Sequence, residues 1–218
     1  MLDGAVALVT GASRGLGFAV AREAAARGAH VLALARTVGG LEELDDAIKA
    51  AGGQATLVPL DLADDPAFDR LAQAIAGRWG RLDLWVHCAV HPAPLSPAPM
   101  IDGKDIDRTF AAVKATQRLI GVLDPLLRAA PAGRAVLPDD PHEGESFYGC
   151  YAAGKAATRV LWQAWARETR SSRFRPVLFT PPPMPTAVRA RFFPGEDKNA
   201  LTPPAAVAPS LLDAAASA

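Results

Sequence analysis

The stretch TGASRGLG, Thr10 to Gly17, constrains the fold of this chain more than any other. It follows the apolar run Ala5–Val9 and precedes FAVAREAAARG, so it joins a buried strand to an amphipathic helix. Gly11, Gly15 and Gly17 are spaced G-x-x-x-G-x-G, which differs from the G-x-G-x-x-G of many dinucleotide folds. Glycine at such points permits a sharp turn, a close backbone approach to a pyrophosphate and tight packing of helix on strand. The helix N-terminus adds unpaired N–H groups and a partial positive charge, both suited to phosphate.

The rest of the chain repeats that unit. Short apolar runs at His30–Ala35, Ala55–Leu60, Leu82–Ala89, Arg134–Leu137 and Arg175–Thr180 read as strands. Between them lie helical patterns. LEELDDAIKAAGG starts at Leu41, a second pattern opens at Asp64-Asp65-Pro66 and runs to Trp79, and a third covers Tyr148–Arg170. A long helical segment covers Asp102–Ala130, with a kink or a new turn expected at Pro125. HPAPLSPAPM is a proline-rich loop, AVRARFF a short helix over the site, and Pro203–Ala216 an Ala-rich closing helix. The alternation calls for an α/β fold, a Rossmann-type doubly wound parallel sheet of about six strands. At 218 residues it is expected to form a single domain over 1–218 with a C-terminal lid and helix.

Charge excludes some partners. Lys+Arg and Asp+Glu balance at 23 each, so no nucleic-acid or anionic-membrane partner is expected from bulk charge. The basic cluster Arg167, Arg170, Arg173 and Arg175 reads as a solvated helix end. Cys88 and Cys150 make no disulfide framework and fit a reduced, cytoplasmic setting. No apolar run reaches spanning length, and Ala5–Ala12 lacks the basic leader of a signal peptide.

In YAAGK, Tyr151 and Lys155 sit one helical turn apart on one face. Tyr-x-x-x-Lys is common by chance; on the helix after the fifth strand, downstream of TGASRGLG, it resembles the short-chain dehydrogenase/reductase family. The resemblance covers residues 5 to about 200. It implies that Tyr151 exchanges a proton with the substrate oxygen. Lys155 would hold the nicotinamide ribose and bring the phenol pKa down from about 10 toward the working range. It also assigns Gly11, Ser13, Arg14, Gly15, Leu16, Gly17, Arg36, Asp61, Leu62, Ala89, Lys155 and Thr186 to the cofactor, and no metal. Asp61 resembles the family's adenine-contacting Asp, although a cap or turn residue is the alternative. An acid at the end of the second strand would accept from a ribose 2′-hydroxyl, but this chain has Ala35-Arg36 there and Arg14 in the loop. Two guanidinium groups suit a 2′-phosphate, so NADP(H) is expected over NAD(H).

Departures from the family pattern follow. Its Asn-Asn-Ala-Gly after strand four reads His87-Cys88-Ala89-Val90. The proton-relay Asn position holds Ala112, and the catalytic Ser position, thirteen residues before Tyr151, holds Pro138. LPDDPHEGESF offers no Ser until Ser146, and the Pro-Gly after strand six reads Pro181-Pro182. Asp139 or Asp140 is the available substitute for the missing hydroxyl. His87, Cys88 and His91 match metal-ligand spacing poorly. Cys150 reads as a small buried residue rather than a nucleophile paired with His142, and Trp162 and Trp165 as packing or subunit-contact residues. Two functions fit these residues. One is an NADP(H)-dependent oxidoreductase of a small carbonyl or alcohol with weak turnover; the other is an inactive relative that binds a nucleotide or protein partner. The resemblance further implies a homodimer through Asp102–Ala130 and Tyr148–Arg170, with Val160, Leu161 and Trp165 at the contact.

Overall fold

The computed structural model describes residues 2–217. Strands β1 (Val6–Thr10), β2 (His30–Ala35), β3 (Gln54–Pro59), β4 (Leu84–His87), β5 (Arg134–Pro138) and β6 (Arg175–Phe179) form one sheet in the order β3-β2-β1-β4-β5-β6. Every neighbouring pair is parallel. Helices α1 (Gly15–Ala26), α2 (Val38–Ala50), α3 (Asp65–Trp79), α4 (Gly103–Ala129) and α5 (Gly149–Glu168) make the crossovers, and α6 (Ala187–Phe192) and α7 (Pro204–Ala216) follow β6. The doubly wound sheet of six strands stands as expected from the alternation.

Alternating side chains along β1 and β2 build two cores. Ala7, Val9, Val31 and Ala33 face α1, α2 and α7. Val6, Leu8, Leu32 and Leu34 face α3, α4 and α5. On the second face Trp162 is fully buried, lies 5.0 Å from Trp85, and donates its ring N–H to the Val177 carbonyl at 3.1 Å. Trp165 is 5% exposed, packs on Trp85 and Phe174, and donates to Asp124 Oδ1 at 2.7 Å. Both tryptophans are packing residues, and Trp165 is withdrawn from the contact surface assigned to it.

Of the kink or new turn expected at Pro125, no new turn begins there: α4 is one continuous helix through it. One missing N–H is outweighed by Leu119, Leu123, Leu126 and Leu127, all buried against the sheet along the same helix. Helix α2 begins at Val38, three residues before the expected Leu41, and takes in Gly39 and Gly40. A Cβ on Gly40 would lie 2.7 Å from the Ser13 carbonyl oxygen, so this helix start is fitted against the glycine loop. Pro59 ends β3, which pairs only with β2. An edge strand tolerates the absent donor. Among the described residues no helix is long and apolar enough to cross a membrane.

Candidate active site

All strands run parallel, so every loop that leaves a strand end opens on one edge of the sheet. Gly11–Arg14 follows β1, Arg36 follows β2, Asp61 follows β3, Cys88–Val90 follows β4, Asp139–Asp140 follows β5, and Pro181–Thr186 follows β6. The strand order reverses between β1 and β4, where open α/β sheets form their ligand crevice.

The glycine loop is built for close backbone contact. Gly11 has φ +72, and a Cβ on it would lie 2.9 Å from the Ala89 nitrogen. A Cβ on Gly17 would lie 2.3 Å from the Gly11 carbonyl oxygen. Gly15 has φ +59, and a Cβ on it would lie 3.5 Å from the Thr186 methyl, so the β6 loop sits near the start of α1. No side chain caps α1 and no acid sits in its first turn, so its N–H groups stay available to an anion. Leu16 and Gly17 are buried, so only their backbone can serve a phosphate. Arg14 and Arg36 are exposed, and neither joins an ion pair among the described residues. This cradle fits a dinucleotide phosphate.

Other residues named for the cofactor are partly engaged elsewhere. Asp61 Oδ1 accepts from the Ala63 N–H at 3.1 Å, the turn role weighed against adenine contact. Leu62 packs against the second core. Thr186 caps α6, its hydroxyl accepting from Arg189 N–H at 3.2 Å.

Tyr151 and Lys155 share a face of α5 but point to different partners. Tyr151 is 4% exposed, and its hydroxyl donates to Asp140 Oδ2 at 2.9 Å. Lys155 Nζ donates to the Pro138 carbonyl at 2.7 Å and lies 4.0 Å from Asp139 Oδ1. Burial pulls the Lys155 ammonium below the ordinary lysine range, against the opposing pull of Asp139 and Asp140. For Tyr151 the expected direction is reversed. Burial, then the Asp140 charge and its hydrogen bond, then Asp139, hold the phenol well above its usual range. Burial is the largest cause, and the Asp140 charge adds to it, while the Lys155 ammonium is turned toward Pro138.

The segment after β5 supplies the groups that no motif announced. Asp139 is 5% exposed, and its Oδ2 accepts from Arg159 Nη1 at 3.2 Å. His142 Nε2 lies 3.2 Å from Asp140 Oδ1, and its Nδ1 lies 2.9 Å from Glu145 Oε2. The His142 ring stacks on Tyr148 at 4.0 Å. Phe192 of α6 meets Tyr151 edge-on at 4.9 Å and Tyr148 at 5.4 Å, with Leu95 and Val188 beside them. This aromatic cluster places the short helix over the tyrosine, as expected for AVRARFF. Ser146 is exposed in the same segment and makes no hydrogen bond to Tyr151. The only sequence signal for this network was acidic residues and a histidine, DDPHEGE, standing where a serine was missing.

His87 has both ring nitrogens taken, by Thr10 Oγ1 at 2.7 Å and Thr116 Oγ1 at 2.9 Å, and burial pulls its pKa down to about 3. It is a neutral core group with no nitrogen left for a metal. Burial pushes the Cys88 thiol up to about 12, away from nucleophilic activation, and Cys150 is buried against Thr109 Oγ1 at 3.3 Å. Val90 and Pro182, which replace family glycines, are both exposed at the mouth.

Comparison with known proteins gives one consistent picture. The short chain dehydrogenase family profile matches residues 5–197. The uncharacterized oxidoreductase YciK of Escherichia coli K12 is 34% identical, the match covering 97% of this chain and 86% of that protein. A fatty acyl-CoA reductase of Acinetobacter baylyi is 48% identical, but over 88 residues that cover 40% of this chain and 30% of the reductase. A short chain dehydrogenase structure from Shigella flexneri 2a, complexed with NADP, superposes with TM-score 0.92 at 32% identity, covering 97% of this chain and 91% of that one.

Proposed function

This chain belongs to the short-chain dehydrogenase family, and on that premise we propose that it is an NADP(H)-dependent oxidoreductase of a small carbonyl or alcohol, with Tyr151 as the proton donor. The observation that carries the reading is a buried phenol, hydrogen-bonded to a carboxylate, on the same sheet edge as an uncapped, glycine-lined helix N-terminus. A bound reduced nicotinamide would supply the hydride. Gly11, Ser13, Gly15, Leu16 and Gly17 would approach the pyrophosphate through their backbone, with Asp61, Leu62, Ala89, Lys155 and Thr186 around the rest. Because Tyr151 is held protonated, it suits the acid's part in carbonyl reduction better than the base's part in alcohol oxidation. The test is a panel of aldehydes and ketones with NADPH; intact binding with no turnover anywhere in the panel overturns the reading. Pro138 and Ala112 favour the second reading, a nucleotide-binding relative without turnover. The Asp140 contact with Tyr151 weighs against it.

The choice of dinucleotide rests on Arg14 and Arg36, both exposed and in no ion pair among the described residues, and on the NADP held by the Shigella flexneri relative. A hydrogen bond to a charged group contributes about 1.5–3 kcal/mol, so NADPH is expected to bind about 10- to 100-fold more tightly than NADH. Arg36→Asp should narrow or reverse the gap. Calorimetry that finds equal affinities for the two in the wild type removes the assignment.

A two-fold homodimer through α4 and α5 is also proposed. Phe110 on α4 is 48% exposed and Val160 on α5 is 61% exposed, on two helices packed side by side. Large apolar side chains grouped on adjacent helices favour burial against a second copy. Light scattering is expected to give twice the chain mass, and a Val160→Lys, Phe110→Lys double variant to give the monomer. A wild-type monomer at micromolar concentration rejects the assembly.

A further inference from the structure

We propose that Asp140 is the proton carrier of this site, returning a proton to Tyr151 after each turnover, with His142 holding the carboxylate in place. The inference rests on the oxidoreductase reading above and adds to it the route by which the proton enters.

The geometry connects a buried phenol to solvent by one side chain. Tyr151 is 4% exposed, whereas the Asp140 side chain is 48% exposed and accepts directly from the phenol at 2.9 Å. The other Asp140 oxygen meets His142 Nε2 at 3.2 Å, and the opposite ring nitrogen meets Glu145 at 2.9 Å. His142 is further fixed by stacking on Tyr148. A carboxylate clamped in this way presents one oxygen to the tyrosine and keeps contact with water.

The route through the lysine lacks an anchor for a water: among the described residues the one hydrogen bond of the Lys155 ammonium goes to a backbone carbonyl, that of Pro138. Ala112 has no polar side chain with which to hold a water, and its carbonyl already accepts from Thr116 Oγ1 at 3.0 Å. Among the described residues the other charged groups around Tyr151 make no hydrogen bond to its hydroxyl, although Asp139 Oδ1 is buried without a hydrogen-bond partner. Asp139 and Glu143 pair with Arg159, and Arg189 pairs with Glu196 at 2.7 Å. Asp140 is the carboxylate that reaches the phenol.

A bound reduced nicotinamide would supply hydride to the carbonyl carbon, where a C–H bond would form as the π pair moves to oxygen. That oxygen takes the Tyr151 proton, which leaves a phenolate. Asp140, having taken a proton from water, passes it to the phenolate. The carbonyl is reduced, the nicotinamide oxidised, and one solvent proton is consumed.

The test compares Asp140→Asn and Asp140→Ala with wild type in NADPH-driven reduction, with and without added formate. Asparagine keeps an acceptor for the phenol but carries no proton, so Asp140→Asn is expected to lower turnover about 100-fold, the lower end of the usual range for proton-transfer groups. Its NADPH affinity by calorimetry should match wild type. Asp140→Ala is expected to lose as much and to regain turnover saturably with formate, while Tyr151→Phe shows no rescue. His142→Gln should lose less than either Asp140 variant. Wild-type turnover in Asp140→Asn, or a loss in Asp140→Ala that formate does not restore, overturns the proposal. A wild-type protein that binds NADPH and reduces no carbonyl is a separate outcome: it removes the oxidoreductase reading, and the proton route with it.

Discussion

Tyr151→Phe is expected to lower NADPH-driven carbonyl reduction by about 10²–10⁴, the range of a positioned proton donor, while leaving NADPH affinity unchanged. The substitution removes one oxygen and keeps the ring that packs edge-on against Phe192 at 4.9 Å. Asp140 loses its donor but is half exposed, so water replaces the bond and stability should hardly move. The starting rate is itself expected to be low. A second donor to the developing oxyanion contributes about 10²–10³ in comparable sites, and none stands at the serine position. Pro138 offers only a carbonyl, already occupied by Lys155, and an acceptor cannot stabilise negative charge. The two deficits act on one network and need not add. Burial and Asp140 keep the phenol protonated through the neutral range, so the reductive rate should show no decline there from loss of the Tyr151 proton. Alcohol oxidation, which needs the phenolate, should climb with pH. Single-turnover nicotinamide fluorescence reads both directions; a Phe variant that reduces carbonyls at the wild-type rate moves the chemistry to another group.

The fold was legible in the sequence because its signals are local. Each strand is a short apolar run bounded by Gly, Pro or a charge, and each helix carries a 3.6-residue stripe, so order and type emerge without knowledge of contacts. The same locality explains the errors. Pro125 is a breaker in isolation, yet the leucines flanking it hold α4 on the sheet. Trp165 is a large apolar residue on a helix, and no pattern tells that its ring turns inward to Trp85 and Phe174. At the site, spacing placed Tyr151 and Lys155 on one face but not the direction of the ammonium, which donates to the Pro138 carbonyl at the end of β5. The state of the phenol depended on Asp140, eleven residues away along a loop, and burial with charge decided it rather than the i, i+4 neighbour.

Gly17→Ala is expected to be the most damaging single methyl that can be added at the site. Its Cβ would lie 2.3 Å from the Gly11 carbonyl oxygen, a backbone atom with no rotamer by which to retreat. Gly11 cannot yield either, because it is itself packed on the Ala89 backbone at the end of β4. The start of α1 must therefore move off the loop, and overpacking of this kind typically costs about 1–3 kcal/mol, with more expected where both partners are backbone. The same displacement takes the α1 N–H groups away from where a pyrophosphate would sit. Because every 1.4 kcal/mol is a decade in affinity, loss of two such bonds should weaken NADPH by about 100-fold. Gly15→Ala is the control. Gly15 has φ +59, so alanine there meets the left-handed penalty of about 1–2 kcal/mol. Its Cβ, however, would meet nothing nearer than a methyl at 3.5 Å. Thermal melts should rank Gly17→Ala below Gly15→Ala, and calorimetry should show the larger loss of NADPH affinity at Gly17. A Gly17→Ala protein that melts and binds NADPH as wild type does would show that α1 is not held on Gly11 as described, and that the phosphates are gripped elsewhere.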